Sequence, residues 1–139
     1  MITPQTPLVA IVGFKRSKWP LPGGIRVLTV RDAVVRLLGK KQRVDLDVAV
    51  GELTARLTRT REVELRTDSG AVYIYGFTTT ASIPDEINQI TIRESEGAEL
   101  IGPAPGGVLG VYTPTEVTKG ASGSRQLVEA LHLRGVGVG

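Results

Sequence analysis

Between Ile25 and Phe77 the chain is cut into six short strand-like segments, and this rhythm limits the fold more than any other feature. The segments are Ile25–Val30, Val34–Leu38, Val44–Val50, Leu53–Thr58, Glu62–Thr67 and Ala71–Phe77. Turn-forming residues separate them at Arg31-Asp32, Gly39 to Gln42, Gly51 and Asp68-Ser69-Gly70, at the close spacing of an antiparallel meander. The last hairpin is the clearest. In Glu62-Val63-Glu64-Leu65-Arg66 apolar and charged side chains alternate, so one face turns to a core and the other to water. Asp68-Ser69-Gly70 then supplies a short turn, with Gly70 free to take a positive φ.

The returning strand places Val72 and Ile74 on one face and Tyr73, Tyr75 and Phe77 on the other. Both faces are apolar, which points to a central strand covered on two sides by a helix or by another subunit. Tyrosine also tolerates a wet edge through its hydroxyl, so the rings alone do not require a partner.

Outside the meander, Met1–Pro7 reads as an extended arm, Leu8–Phe14 as a buried strand, and Lys15–Gly24 as a loop punctuated by Pro20, Pro22, Gly23 and Gly24. A short helix is expected over Ser82–Gln89, with Ser82 as cap, Pro84 early, and Asp85 and Glu86 against the positive end of the dipole. Ile90–Arg93 is expected to be a strand. Residues 97–110, rich in glycine and proline, read as a loop or extended excursion, and Val108–Tyr112 as a possible returning strand. A final helix should run from Ser122 or Ser124 to Arg134, with Leu127, Val128 and Leu131 on one face and Gly135 as its stop. The tail Gly135–Gly139 reads as frayed or as a strand added to something else. No fixed-period repeat is evident, so residues 1–139 form one domain. The expected fold is mainly β (α+β): an antiparallel meander making a barrel or sandwich, with one C-terminal helix and a short second helix.

A chain of 139 residues with 41% hydrophobic and 22% charged residues can bury a core of its own. With no cysteine it has no disulfide, thiolate metal site or cysteine nucleophile. The apolar run before Phe14 is far shorter than the roughly 20 residues of a membrane span. Lys15, Arg16 and Lys18 follow that run, where a secretory signal would carry its charge ahead. The expected location is therefore the cytoplasm, or a virion if the chain is a phage component. Charge is uneven: residues 1–66 hold 13 Lys+Arg and 6 Asp+Glu, a net +7, and the rest hold 4 and 8, a net −4. Such a gradient steers a subunit toward a complementary neighbour, a nucleic acid or an anionic membrane.

Reactive constellations are missing from the sequence. His132 is the sole histidine and reads as a partly buried helix residue rather than a ligand. Gly39-Lys40-Lys41 lacks the glycine spacing and helix of a phosphate loop, and Gly102–Gly110 has no basic residue to meet phosphate. Asp45 with Asp47, and Glu62 with Glu64, each project to one side of a strand and read as the wet face of a sheet. No catalytic, cofactor-binding or metal-ligating residue is expected. The candidate partner-binding residues are Lys15, Arg16, Lys18 and Trp19 in one loop, Lys40, Lys41 and Arg43 in another, and Tyr73, Tyr75 and Phe77 on the last hairpin. Neither a recognition helix nor a stacking motif argues for specific nucleic-acid binding.

From Gly24 to Gln89, about half the chain, the string of short strands with its Tyr73-Ile74-Tyr75-Gly76-Phe77 arm resembles bacterial pleckstrin-homology-like domains, and a closing helix over Leu127–Gly135 suits that architecture. The resemblance implies anionic-lipid binding through loop cations, for which Arg36, Lys41 and Arg43 are the nearest matches. An arginine stands where the family has its first lysine, and more than thirty residues separate the strands from the helix. The leading functional expectation is a non-enzymatic structural subunit of a larger assembly, such as a phage capsid, neck or tail component. It would join copies of itself and neighbouring proteins into a homo-oligomer by strand addition and arm exchange. The alternative is a pleckstrin-homology-like module for anionic lipid or peptide.

Overall fold

The computed structural model describes residues 2–17, 24–76, 83–102 and 120–139, with side chains of the last stretch described from 123. The elements in chain order are β1 (Leu8–Lys15), β2 (Ile25–Arg31), β3 (Val34–Leu38), β4 (Val44–Ala49), β5 (Thr54–Leu57), β6 (Val63–Thr67), β7 (Gly70–Gly76), α1 (Asp85–Glu94), β8 (Glu99–Ile101), α2 (Gly120–Leu133) and β9 (Gly137–Val138). Each of the seven strands expected before residue 77 lies on an observed strand, within a residue or so at each end. Among the described residues all strands join one sheet of order β4-β3-β2-β1-β7-β6-β5-β9, with β8 on the flank of β1. The neighbours from β4 to β5 are antiparallel, and the sheet does not close, so the expected mainly β fold takes the form of a sandwich or open barrel.

Strand β1 is the axis of the molecule. One flank pairs with β2 over Leu8–Gly13, while the other pairs with β8 over Leu8–Ala10 and with β7 over Val12–Lys15. Its alternation divides the core in two. Leu8, Ala10, Val12 and Phe14 enter a large cluster with Leu28, Leu37, Leu65 and Ile74, whereas Val9 and Ile11 enter a smaller one with Val27, Ile87 and Ile90. A strand buried on both faces has no room for a polar side chain, which is why Leu8–Phe14 reads as an unbroken apolar run.

Gly13 answers a second steric demand. It sits opposite Tyr75, and a Cβ there would lie 2.1 Å from the tyrosine ring. The ring thus covers a gap that only glycine leaves.

The helices close the two faces. Leu127 and Leu131 of α2 pack into the large cluster at 0–1% exposure, each contributing about 2 kcal/mol of apolar burial. Gly135, at φ +103°, ends α2: the Val136 amide donates to the Leu131 carbonyl and the Gly135 amide to that of His132, both at 3.1 Å. The smaller cluster lies under α1, whose Ile87, Asn88, Ile90 and Thr91 form one buried stripe.

Three sequence expectations need correction. Ile90–Arg93 is the second half of α1 rather than a strand, because Ile87, Ile90 and Thr91 fall at helical spacing over β1 and β2. There the Thr91 hydroxyl donates to the Ile87 carbonyl at 2.8 Å. Tertiary packing overrides the β preference of isoleucine and threonine. The excursion over 97–110 contains a core element after all: β8 runs parallel to β1 and buries Ile101. Asp45 and Asp47 do not share a face. Leu37 pairs with Leu46 but Leu38 pairs with Val44, so Asp45 is the extra residue of a bulge and points away from Asp47. The expected cap Ser82, the side chain of Ser122 and the strand Val108–Tyr112 lie outside the described residues.

Both chain ends dock on the chain's own body. The tail pairs as β9, with Thr54 opposite Gly137 and Ala55 opposite Val138. The N-terminal arm is held by Arg134, whose side chain is 1% exposed and donates to the Thr6 and Ala130 carbonyls and to Glu99 at 2.9 Å.

Candidate functional site

Two arginine–carboxylate centres dominate the polar structure. The first lies where the loops after β1 and β3 meet. The bulge turns Asp45 inward until its side chain is 1% exposed, and three guanidinium groups from separate segments converge on it: Arg16 and Arg26 at 2.5 Å and Arg43 at 3.1 Å. Arg26 also lies over the Phe14 ring at 4.7 Å and Arg16 at 5.4 Å, stacking cations on an aromatic floor. Gly39 leaves room for this arrangement, since a Cβ there would come within 3.0 Å of the Arg26 side chain.

Burial raises the Asp45 pKa, but hydrogen bonds and charge from Arg26 and Arg43 outweigh it and hold the carboxyl below its ordinary value. The carboxylate is therefore a fixed counter-ion. The rim above it stays positive: Lys40 and Lys41 are exposed, and Arg16 and Arg43 are 58% and 53% exposed. The turn that presents them holds Lys41 and Gln42 in the left-handed region, and the Lys41 amide donates to the Glu86 carboxylate of α1.

The second centre lies on the outer face of β5, β6 and β7. Glu64 accepts from Arg56 (3.2 Å), Arg66 (3.3 Å) and the Tyr73 hydroxyl (3.1 Å). Burial raises the Glu64 pKa, yet the hydrogen bonds from Arg66, Arg56 and Tyr73 prevail and leave it lowered. Burial and the hydrogen bond to Glu64 push the Tyr73 hydroxyl upward instead. Glu62, beside this centre, is paired with Lys15.

The expected binding residues thus fall into two groups. Arg16 and Arg43 come together on Asp45, with Lys40 and Lys41 on the same loop end. Lys15 turns to Glu62 and away from Arg16, Tyr73 serves Glu64, and Tyr75 covers Gly13. Lys18, Trp19 and Phe77 lie outside the described residues. Arg36, a match for the family's lipid contacts, pairs with exposed Asp47 at 3.3 Å.

Two residues escaped sequence reasoning. Arg26 looks like a solvent position on a strand, yet it is the buried centre of the Asp45 cluster; Arg134 looks like a helix-end cation, yet it clamps the N-terminal arm. His132 is partly buried, its Nε2 donating to the Ala55 carbonyl at 2.8 Å. Among the described residues no group of histidine and carboxylate side chains is arranged to hold a metal ion. Nor is any helix there long and apolar enough to cross a membrane.

No family model, curated protein or solved structure matches this chain.

Proposed function

We propose that the chain is a non-enzymatic binding module of pleckstrin-homology-like form that docks an anionic lipid headgroup on the loop end around Asp45. The observation that supports this reading is the convergence of Arg16, Arg26 and Arg43 on Asp45, with exposed Lys40 and Lys41 in the neighbouring turn, at one end of an open meander capped by α2. The buried carboxylate fixes the guanidinium positions, and the surplus charge faces outward. Exposed Val44, at 51%, stands beside Arg43 as an apolar foothold for a membrane surface.

Sedimentation with vesicles tests it. The wild-type chain should pellet with phosphatidylserine- or phosphoinositide-containing vesicles and stay in solution with neutral ones. A Lys40→Ala/Lys41→Ala/Arg43→Ala variant should lose most of that binding at about 1 kcal/mol per cation. Wild-type indifference to anionic vesicles, or a triple variant that binds unchanged, defeats the reading.

A second reading, the structural subunit of a larger assembly such as a phage virion, is favoured by a different observation. The outer edge of β4 has no strand partner among the described residues. It borders a gap of about 340 Å3 lined by Leu46, Val48, Leu65 and Val72. The mechanism would be strand addition at this edge, joined by exchange of arms between copies. A chain that remains monomeric by analytical ultracentrifugation at millimolar concentration would remove this second reading and leave the first untouched.

A further inference from the structure

The outer face of β5 and β6 carries positive charge that the loop-end site does not use. Arg56, Arg59, Arg61 and Arg66 lie on these strands or in the loop between them. Both nearby carboxylates are already engaged. Glu62 accepts from the Thr60 hydroxyl at 3.1 Å and pairs with Lys15, while Glu64 is shared by Arg56, Arg66 and Tyr73. Arg59 and Arg61 meet no carboxylate among the described residues, so the surplus charge is concentrated at the hairpin loop.

A cavity of about 300 Å3 opens beneath that loop, lined by Arg56, Thr58, Arg59, Thr60, Glu62 and Tyr73. This is at the small end of the ligand-sized range. The loop is braced before any ligand arrives: the Thr58 amide donates to the Glu62 carbonyl at 2.8 Å, and the Arg61 amide donates to the Thr58 carbonyl at 3.1 Å. Less ordering is then required on binding. The Tyr73 hydroxyl is committed as donor to Glu64 and offers neither a base nor a nucleophile, so the cavity suits binding rather than chemistry.

Two guanidinium groups at one small cavity discriminate among anions by geometry. Arg59 presents a free planar fork that takes two oxygens, and Arg56, whose Nη2 donates to Glu64, offers its remaining N–H groups. A phosphate has oxygens enough for both groups, whereas a carboxylate satisfies one. We propose that the cavity between Arg56 and Arg59 binds a phosphate monoester, at a site separate from the loop end around Asp45.

The test is an NMR titration of the full chain at low ionic strength with inorganic phosphate, glycerol 3-phosphate and acetate, following backbone amides. Glycerol 3-phosphate should give saturable shifts centred on Thr58 to Glu62, at least as tightly as inorganic phosphate, with acetate weaker than either. Arg59 is an exposed loop residue, so Arg59→Gln should fold normally and weaken binding by about tenfold. Arg43→Gln should leave the midpoint unchanged, which keeps this result independent of the loop-end reading. An unaltered midpoint in Arg59→Gln overturns the proposal. So do shifts at Thr58 to Glu62 that vanish in Arg43→Gln, acetate matching the phosphates, or inorganic phosphate binding where glycerol 3-phosphate does not.

Discussion

Asp45 and Glu64 are both buried carboxylates held by arginines, but they are assembled in opposite ways. Glu64 draws its partners from adjacent rungs of the sheet: Arg56 and Tyr73 face it across β5 and β7, and Arg66 is two residues along its own strand. Asp45 takes Arg43 from two residues back on its own segment, but draws Arg16 and Arg26 from segments 29 and 19 residues away and depends on a bulge to aim it. The first centre is a product of strand alternation, and the second is a product of tertiary closure. Removing one should loosen a surface; removing the other should loosen the fold.

The largest expected effect follows from Asp45→Asn. It leaves Arg26, only 9% exposed in its side chain, without a counter-charge, and should cost about 3 kcal/mol in urea unfolding. Glu64→Gln should cost less, about 1–2 kcal/mol, because Arg56 and Arg66 are half exposed and turn to water. Equal losses from the two substitutions would erase the distinction drawn here.

Titration sharpens it further. Both carboxyls have lowered folded-state pKa values, so their stabilisation is complete above the unfolded values near 4 and declines as pH falls toward the folded ones. Tyr73 has a raised value, so its contribution is complete below about pH 10 and lost as pH climbs through the folded value. Unfolding measured against pH should show both flanks: Asp45→Asn should flatten only the acidic one, whereas Tyr73→Phe should remove the alkaline one and, by taking a hydrogen bond from Glu64, also reduce the acidic one. The smallest effect belongs to Arg36→Ala. Its pair with Asp47 is about half exposed on both sides and should be worth less than about 0.5 kcal/mol, close to the error of the experiment.

The same contrast marks what the sequence makes legible. Turn chemistry at Asp68-Ser69 and alternation in Glu62–Arg66 act over a few residues, so β6 and β7 can be read directly, whereas Glu64, expected on a wet face, is buried beneath Arg56, Arg66 and Tyr73. The bulge at Asp45 leaves no local signature. Pairing between β1 and β8 joins residues about 90 apart, and a three-residue strand inside a glycine-rich stretch has too little pattern to announce itself. In α1, β-branched residues suggest a strand until the surface they must cover is known. The cationic loops are visible in the sequence, whereas Arg26 becomes recognisable only once Phe14 lies beneath it.

The position of β1 sets the timing of assembly. Its neighbours are residues 25–31, 70–76 and 99–101, up to about 90 positions further along the chain. A nascent chain must carry this greasy segment with part of one flank unmatched until residue 101 has emerged. Completion of the sheet around β1 is therefore deferred, with the slow millisecond-to-second kinetics typical of non-local strand pairing. Until then the exposed flank is the stretch of the molecule that most needs shielding from other growing chains.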